Sequence, residues 1–369
     1  MGNSKLLQKK VPLRRLKNIL NQIGRSVIAY AKLRTNNLGK KYCIFINGRF
    51  LTQTITGVQR YALELISSID TLLNESTNNT RSISYTLLVP HNANHLPDLK
   101  NISIKKVGRL SGHLWEQFEL PFFSRSGLLV GFCNTGPLLK LNQIVSICDA
   151  SIFACPSGYS KAFRMWHQNV LPILGRNSKQ IITISQFSKN ELIKYCGFVS
   201  NKISLTLLGV SDFSSLEQDK TILDKYGLNS IPYVLAVSSM NPNKNFASLV
   251  KAVECLGEVN FKVVIAGGTN SNVFGGRTDQ LPSFVTLVGY VSDAELHALY
   301  SNATCFVFPS IYEGFGLPPL EAMACSCPVI VSTAASLPEV CGDAALYCDP
   351  YSPADIAEKI NRLIDDSAL

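Results

Sequence analysis

The sequence predicts an α/β protein built from two Rossmann-like, doubly wound parallel-sheet domains facing across a cleft. Three observations carry that expectation. Short runs rich in Val, Ile and Leu alternate with stretches whose apolar residues recur at helical spacing, the pattern of parallel strands covered by helices on both faces. The runs form two series, separated by the polar stretch 211–230. A chain of 369 residues is long for one core and comfortable for two.

Residues 1–40 precede the first strand and read as a basic amphipathic extension. The first 41 residues hold eleven Lys or Arg and no acid, and the first acid in the chain is Glu64. The remainder has 24 basic and 26 acidic residues, so the whole formal excess of +9 belongs to the extension. A near-neutral body argues against nucleic acid as the main partner. Leu13, Leu16, Ile19, Leu20, Ile23, Val27 and Ile28 recur at helical spacing among the bases, which suits an anionic membrane surface. A solvated tail is the plain alternative.

The first domain, 41–211, opens with the strand "KYCIFING" (41–48) and the helical stretch "GVQRYALELISSIDTLL". Strands follow at 84–90, 127–133 and 143–150, then a helix around 160–174, a strand at 180–185, a helix opened by Ser188 and a strand at 202–210. Residues 212–230 read as a linker with a short helix. The second domain, 231–369, runs "YVLAVSS" (233–239), a helix from Phe246, "KVVIAGG" (262–268), "FVTLVGY" (284–290), a helix 293–302, "TCFVFPS" (304–310), a helix near 317–325 and "PVIVS" (328–332).

Composition narrows the setting. No apolar run reaches the roughly 18 residues that span a bilayer, and no secretory leader is evident. The eleven cysteines are scattered without C-x-x-C spacing, and Cys325-Ser-Cys327 lacks partners. A reducing cytoplasm, with the protein peripheral to the inner face of the membrane, is the expected location.

The block "SIYEGFGLPPLEAMACSCPVIVS" (310–332) carries the chemistry. Glu313 follows a predicted strand, at the end where open α/β sheets bind ligands. Gly314 and Gly316 allow close backbone approach. Pro318 and Pro319 suit a first helical turn, and Glu321 follows on that helix. A helix start attracts an anion such as a diphosphate, and carboxylates beside it accept hydrogen bonds from sugar or ribose hydroxyls. The simpler reading has both glutamates favouring a helix N-terminus through its dipole alone.

"YEGFGLPPLEAMACSCPVIVSTAASLPEVCGDAALYCDP", with "TGVQRYALEL", "NPNKNFASLVKAV" and "GYVSDAELHALYSNA", resembles the retaining glycosyltransferases of family 4, which have the GT-B fold. The resemblance spans nearly all of residues 42–365. It implies an enzyme that moves a hexose, mannose among the options, from a GDP- or UDP-sugar to a hydroxyl of a lipid-linked or saccharide acceptor. The anomeric configuration is retained, with no metal and no cofactor beyond the nucleotide sugar. Residue by residue, it implies that Glu313 binds hydroxyls of the transferred sugar, with amides of Phe315, Gly316 and Leu317. Glu321 would bind the ribose and Lys244 the departing diphosphate. Gly57 and Gly267 would face the donor, with Tyr290 and Val291 near the base. An arginine often accompanies that lysine in the family; here Asn241 and Asn243 stand nearby. Lys244 as a solvated loop residue and Gly267 as a plain turn residue are the simpler readings.

One position departs from the pattern. Where the family usually shows His-Asp after the strand "QIVSICDA", this chain has Cys148-Asp149. A thiol is a weak donor and does not replace an imidazole. The enzyme works without that histidine, or another residue such as His113 fills the space, or the chain is an impaired nucleotide-sugar-binding protein. Asp149 stands where the family has its aspartate, with a role as a loop or helix cap as the alternative.

Overall fold

The computed structural model describes residues 42–53, 55, 57–75, 83–209, 216–239, 241–268 and 281–365. The basic extension 1–40 and residues 212–215 of the expected linker lie outside them. The described chain divides into two compact units. One comprises residues 42–153 and 161–209, the other 154–160 and 216–365.

The first unit holds a seven-stranded sheet in the order β3-β2-β1-β4-β5-β6-β7, from Ser103–Lys106 (β3) through Ile83–Val89 (β2), Tyr42–Asn47 (β1), Leu128–Gly131 (β4), Gln143–Ser146 (β5) and Gln180–Thr183 (β6) to Ile203–Leu205 (β7). Every pairing is parallel. The second unit holds six parallel strands in the order β10-β9-β8-β11-β12-β13, from Val285–Gly289 (β10) through Lys262–Ala266 (β9), Tyr233–Val237 (β8), Cys305–Phe308 (β11) and Val329–Ser332 (β12) to Leu346–Cys348 (β13). All of these pairings are parallel too.

The doubly wound topology therefore holds in both units. In each, strand order reverses between the first strand and the fourth: between β1 and β4, and between β8 and β11. These switch points are where ligands bind in open α/β sheets, outside the carboxyl ends of the strands.

The Val/Ile/Leu runs become strands because both sheet faces are covered. On the second sheet, Leu235, Phe306, Phe308 and Val331 belong to one apolar cluster, while Val234, Val263, Ile265, Val307 and Ile330 belong to another. The expected helix 293–302 is Asp293–Asn302. Its N-terminus is closed by reciprocal bonds: Ser292 Oγ accepts from Glu295 N and Glu295 Oε2 accepts from Ser292 N. The helix expected to open at Ser188 is Gln186–Cys196, capped instead by Ser185, whose hydroxyl accepts from Ser188 N. Residues 216–230 contain the helix Thr221–Tyr226, which packs Ile222 and Leu223 into the second unit's core.

Candidate active site

In the second unit the switch point gathers Lys244, Glu313, Phe315, Gly316, Leu317 and Glu321. Beyond β8 the chain makes a tight turn, Pro242–Lys244, capped by the Asn241 side chain. Asn245 sits in the left-handed region (φ 62°), and its Nδ2 donates to the carbonyls of Pro309 and Pro350. This fastens the turn to the loop after β11 and to the segment after β13. Asn243 adds a second tie: its Nδ2 donates to Tyr312 O at 2.9 Å, and its own carbonyl accepts from Ile311 N. These asparagines build the turn. The positive charge on this turn is that of Lys244.

Lys244 Nζ donates to Glu313 Oε1 in a direct ion pair, with the two side chains 15% and 14% exposed. At that burial the pair is shielded from bulk water yet open on one side, so each group is held in place ahead of any ligand. Ser310 Oγ lies 3.4 Å from the same carboxylate oxygen. The loop is held from below by buried Ser336, whose hydroxyl bridges the carbonyls of Glu313 (2.9 Å) and Phe315 (2.8 Å). Phe315 is buried.

Gly316 caps the helix Leu317–Ala324 with φ 106°, and a Cβ there would stand 2.7 Å from Leu337 Cδ2. Both conformation and space require glycine. Pro318 and Pro319 carry no amide hydrogen, so the N–H groups at this helix start are those of Gly316, Leu317 and Leu320, with Phe315 just ahead. Glu321 is pinned by the buried Tyr300, whose phenol donates to Glu321 Oε2 at 3.2 Å. Burial, and then the neighbouring Glu321, push the Tyr300 phenol well above its ordinary pKa, so it remains a donor.

Three further expected residues follow the neighbouring strands β9 and β10. Gly267 (φ 134°) ends β9, and a Cβ there would meet Ser238 O at 1.8 Å. The sheet's own backbone demands this glycine. Tyr290, after edge strand β10, is 79% exposed, whereas Val291 packs against the core. Among the described residues no group of three His, Cys, Asp or Glu side chains is arranged to hold a metal ion.

In the first unit, Gly57 opens the helix Gly57–Glu75, and a Cβ there would meet no heavy atom within 4 Å. Cys148 is buried at the carboxyl end of β5; its N–H donates to Asn134 Oδ1 at 2.7 Å. Burial, then Asp149 and Cys133, push the thiol well above its ordinary pKa, so it is neutral. Asp149 Oδ1 accepts from Ser151 N, at the first residue of the short helix Ser151–Ala154. His113 sits beside Glu116 (Nδ1 to Oε2, 3.4 Å) and Trp166.

Residues 219–369 match the family model described as "Glycosyl transferases group 1". The O-antigen chain mannosyltransferase B of Escherichia coli is 29% identical, with 85% of this chain and 88% of that protein aligned. The O-antigen chain mannosyltransferase RfbU of Salmonella typhimurium is 32% identical, covering 66% of this chain and 69% of the relative. The chain belongs to the group 1 glycosyltransferases. Solved structures agree on the fold. WaaG, a glycosyltransferase involved in lipopolysaccharide biosynthesis, superposes with a TM-score of 0.63 at 15% identity, over 88% of this chain and 91% of that one. Anabaena Alr3699/HepE, crystallised with UDP and glucose, gives 0.62 at 14% identity, over 88% and 90%.

For a group 1 glycosyltransferase, the sequence reading missed one feature of the first unit. Glu116 is fully buried beside Arg49, Asn47 and Thr135. Asn47 ends β1, Arg49 follows it and Thr135 follows β4, so this polar knot lies at the first sheet's switch point. No local pattern flags it, because its members come from three separate parts of the chain. The only sequence cue is a glutamate and a tryptophan side by side in "HLWEQFELP".

Proposed function

We propose that this glycosyltransferase moves a mannosyl group from a nucleotide diphosphate mannose to a sugar hydroxyl of a lipid-linked saccharide, with retention and without a metal ion. The observation that carries the proposal is the Lys244–Glu313 pair at the second sheet's switch point. Transfer from a diphosphate sugar is limited by departure of the diphosphate, so a fixed cation where the leaving charge grows does the main work. Lys244 takes that role, with the amides at the start of Leu317–Ala324 adding partial positive charge. Glu313 orients the sugar through its hydroxyls and keeps the lysine extended before the donor arrives. Glu321 receives the ribose, Gly57 gives backbone room to the donor phosphates, and Asp149 stands on the acceptor side. The two O-antigen relatives named as mannosyltransferases support the choice of sugar. Residues 1–40, with their excess charge, would bring the enzyme to an anionic bilayer.

The test is a thermal-shift screen of GDP- and UDP-sugars followed by product analysis. A donor at a hundredfold its dissociation constant stabilises the folded state by about 2.7 kcal/mol. GDP-mannose should stand out, transfer should survive EDTA, and NMR should show an α-mannoside. A β-product, or activity abolished by chelation and restored by magnesium, rejects the mechanism. A second reading, a nucleotide-sugar-binding protein without turnover, is favoured by one observation: the neutral, buried Cys148 where the family has a histidine. Donor binding without transfer to any mannosylated acceptor would establish it.

A further inference from the structure

The polar knot at the first sheet's switch point has an open side. Glu116 Oε1 is fully engaged: Asn47 Nδ2 donates at 2.7 Å, Thr135 Oγ1 donates at 2.9 Å, and Arg49 Nε lies at 3.1 Å. Arg49 Nη2 also donates to Thr135 Oγ1. Glu116 Oε2 has no aligned hydrogen-bond partner, although it is buried, and the group facing it is His113 Nδ1 at 3.4 Å. That nitrogen is itself buried and unpartnered, yet the His113 side chain is 40% exposed. The exposed surface therefore lies elsewhere on the side chain, where Nε2 is the one remaining polar atom.

A buried carboxylate facing Nδ1 favours a proton on that nitrogen, and in the neutral ring Nε2 is then an acceptor. Burial alone would raise the Glu116 carboxyl, but His113, Arg49, Asn47 and Thr135 outweigh it and hold it below its usual range, so the charge that orients the ring persists. Beside the imidazole stands an aromatic wall. Trp166 lies 5.2 Å from it between ring centroids, and Trp166 and Phe163 are 39% and 46% exposed. An exposed indole next to an oriented hydrogen-bond acceptor suits a pyranose, which offers an apolar C–H face and a rim of hydroxyl donors.

We propose that His113 and Trp166 form the subsite that binds the terminal sugar of the acceptor, with Glu116 as the positioning residue that fixes the imidazole. This rests on the glycosyltransfer reading above and names the acceptor as a saccharide, recognised through a hydroxyl on Nε2 and a ring face on the indole.

The chain has two tryptophans, and Trp115 is wholly buried, so a ligand-induced change in emission reports on Trp166. The probe is a soluble octyl mannobioside titrated into the full-length protein. Wild type should show a saturable emission change that Trp166→Phe removes. By NMR titration, Trp166→Ala and His113→Gln should each weaken binding about tenfold or more, while the dissociation constant for GDP is unchanged. Glu116→Gln should weaken it about as much as His113→Gln, and the double variant should be no worse than either alone, since both act through one contact. Because Glu116→Gln removes a buried charge and puts folding at risk, Trp166→Ala and His113→Gln, both at partly exposed positions, decide the matter by themselves. No saturable change in wild type, or unaltered affinity in both of those variants, overturns the subsite. Sugar binding that behaves as stated in a protein that transfers from no donor would instead overturn the catalytic reading and leave the subsite standing.

Discussion

Lys244 and Glu313 are 69 residues apart in the chain and form one ion pair. They meet because β8 and β11 are neighbours in the sheet and both loops leave at the carboxyl ends. The asparagine ties from Asn243 and Asn245 keep the two loops together independently of the charges. Glu313→Ala should therefore fold normally and lose transfer by about a hundredfold to a thousandfold, the usual cost of removing one preorganised electrostatic contact. Circular dichroism together with a donor-turnover assay checks it; an unfolded variant would make the glutamate structural.

Lys244→Ala should weaken binding of the free nucleoside diphosphate as well as transfer, since the lysine meets the leaving group itself. A loss of about 1.5–3 kcal/mol is expected for a charged hydrogen bond, measured by calorimetry with GDP. Equal GDP affinity in the two proteins would remove Lys244 from the leaving-group role.

Two glycines separate fold from function. Gly267→Ala forces a Cβ onto the Ser238 carbonyl at φ 134°, so it should destabilise the fold by more than the roughly 1 kcal/mol of a typical point substitution, with a marked fall in melting temperature. Gly57→Ala meets open space and should leave the melting temperature unchanged or slightly raised, while reducing activity if the donor phosphates approach that backbone. Thermal unfolding of the pair, with turnover measured beside it, tests both.

Cys148→His should raise turnover where the thiol is the defect. It should also cost about 1–3 kcal/mol, because the larger ring enters a buried site. Turnover that stays flat or falls shows the enzyme works without an imidazole there.

The buried thiols set an alkaline limit. Burial pushes Cys196, Cys305, Cys341 and Cys348 up to about 12. Unfolded, each thiol titrates near 8.5, so above that pH the unfolded chain releases protons the folded one keeps. Their contribution is complete below about pH 8.5 and falls as pH rises toward the folded values, by up to about 1.4 kcal/mol per pH unit for each thiol. Melting temperature should decline steadily from about pH 9 to 11, and in the native protein iodoacetamide at pH 8 should label exposed Cys255 and spare these four. Labelling of the four in the folded protein contradicts it.

Much of this architecture was legible because parallel strands covered on both faces write themselves as Val/Ile runs, as in "YVLAVSS" and "TCFVFPS". Strands without such a run were not. β3, "SIKK", is an edge strand with three of its four side chains in water, and β13 is three residues long. The segment 112–123 hides its helix behind a π-turn at Trp115–Glu119 and four exposed apolar side chains, Leu114, Phe118, Phe122 and Phe123. Glu313, Lys244 and Glu321 stood out through glycine, proline and spacing, but what holds them did not: Ser336 under the loop and Tyr300 against Glu321 are ordinary residues made specific by packing. Arg49 and Glu116 escaped notice because buried charges are rare and nothing local marks them.

The strand order has a consequence for synthesis. β1 is the first strand of its sheet in the chain, so it leaves the ribosome before the others, and it lies inside the sheet, so it needs neighbours on both sides. β2 follows soon, but β4 begins at Leu128, and at about 5–20 residues per second the exposed flank of β1 waits roughly 4–16 seconds for it. For that interval the nascent chain offers a bare, apolar strand edge, the surface that a chaperone at the exit tunnel binds and that two nascent chains on one message would otherwise share.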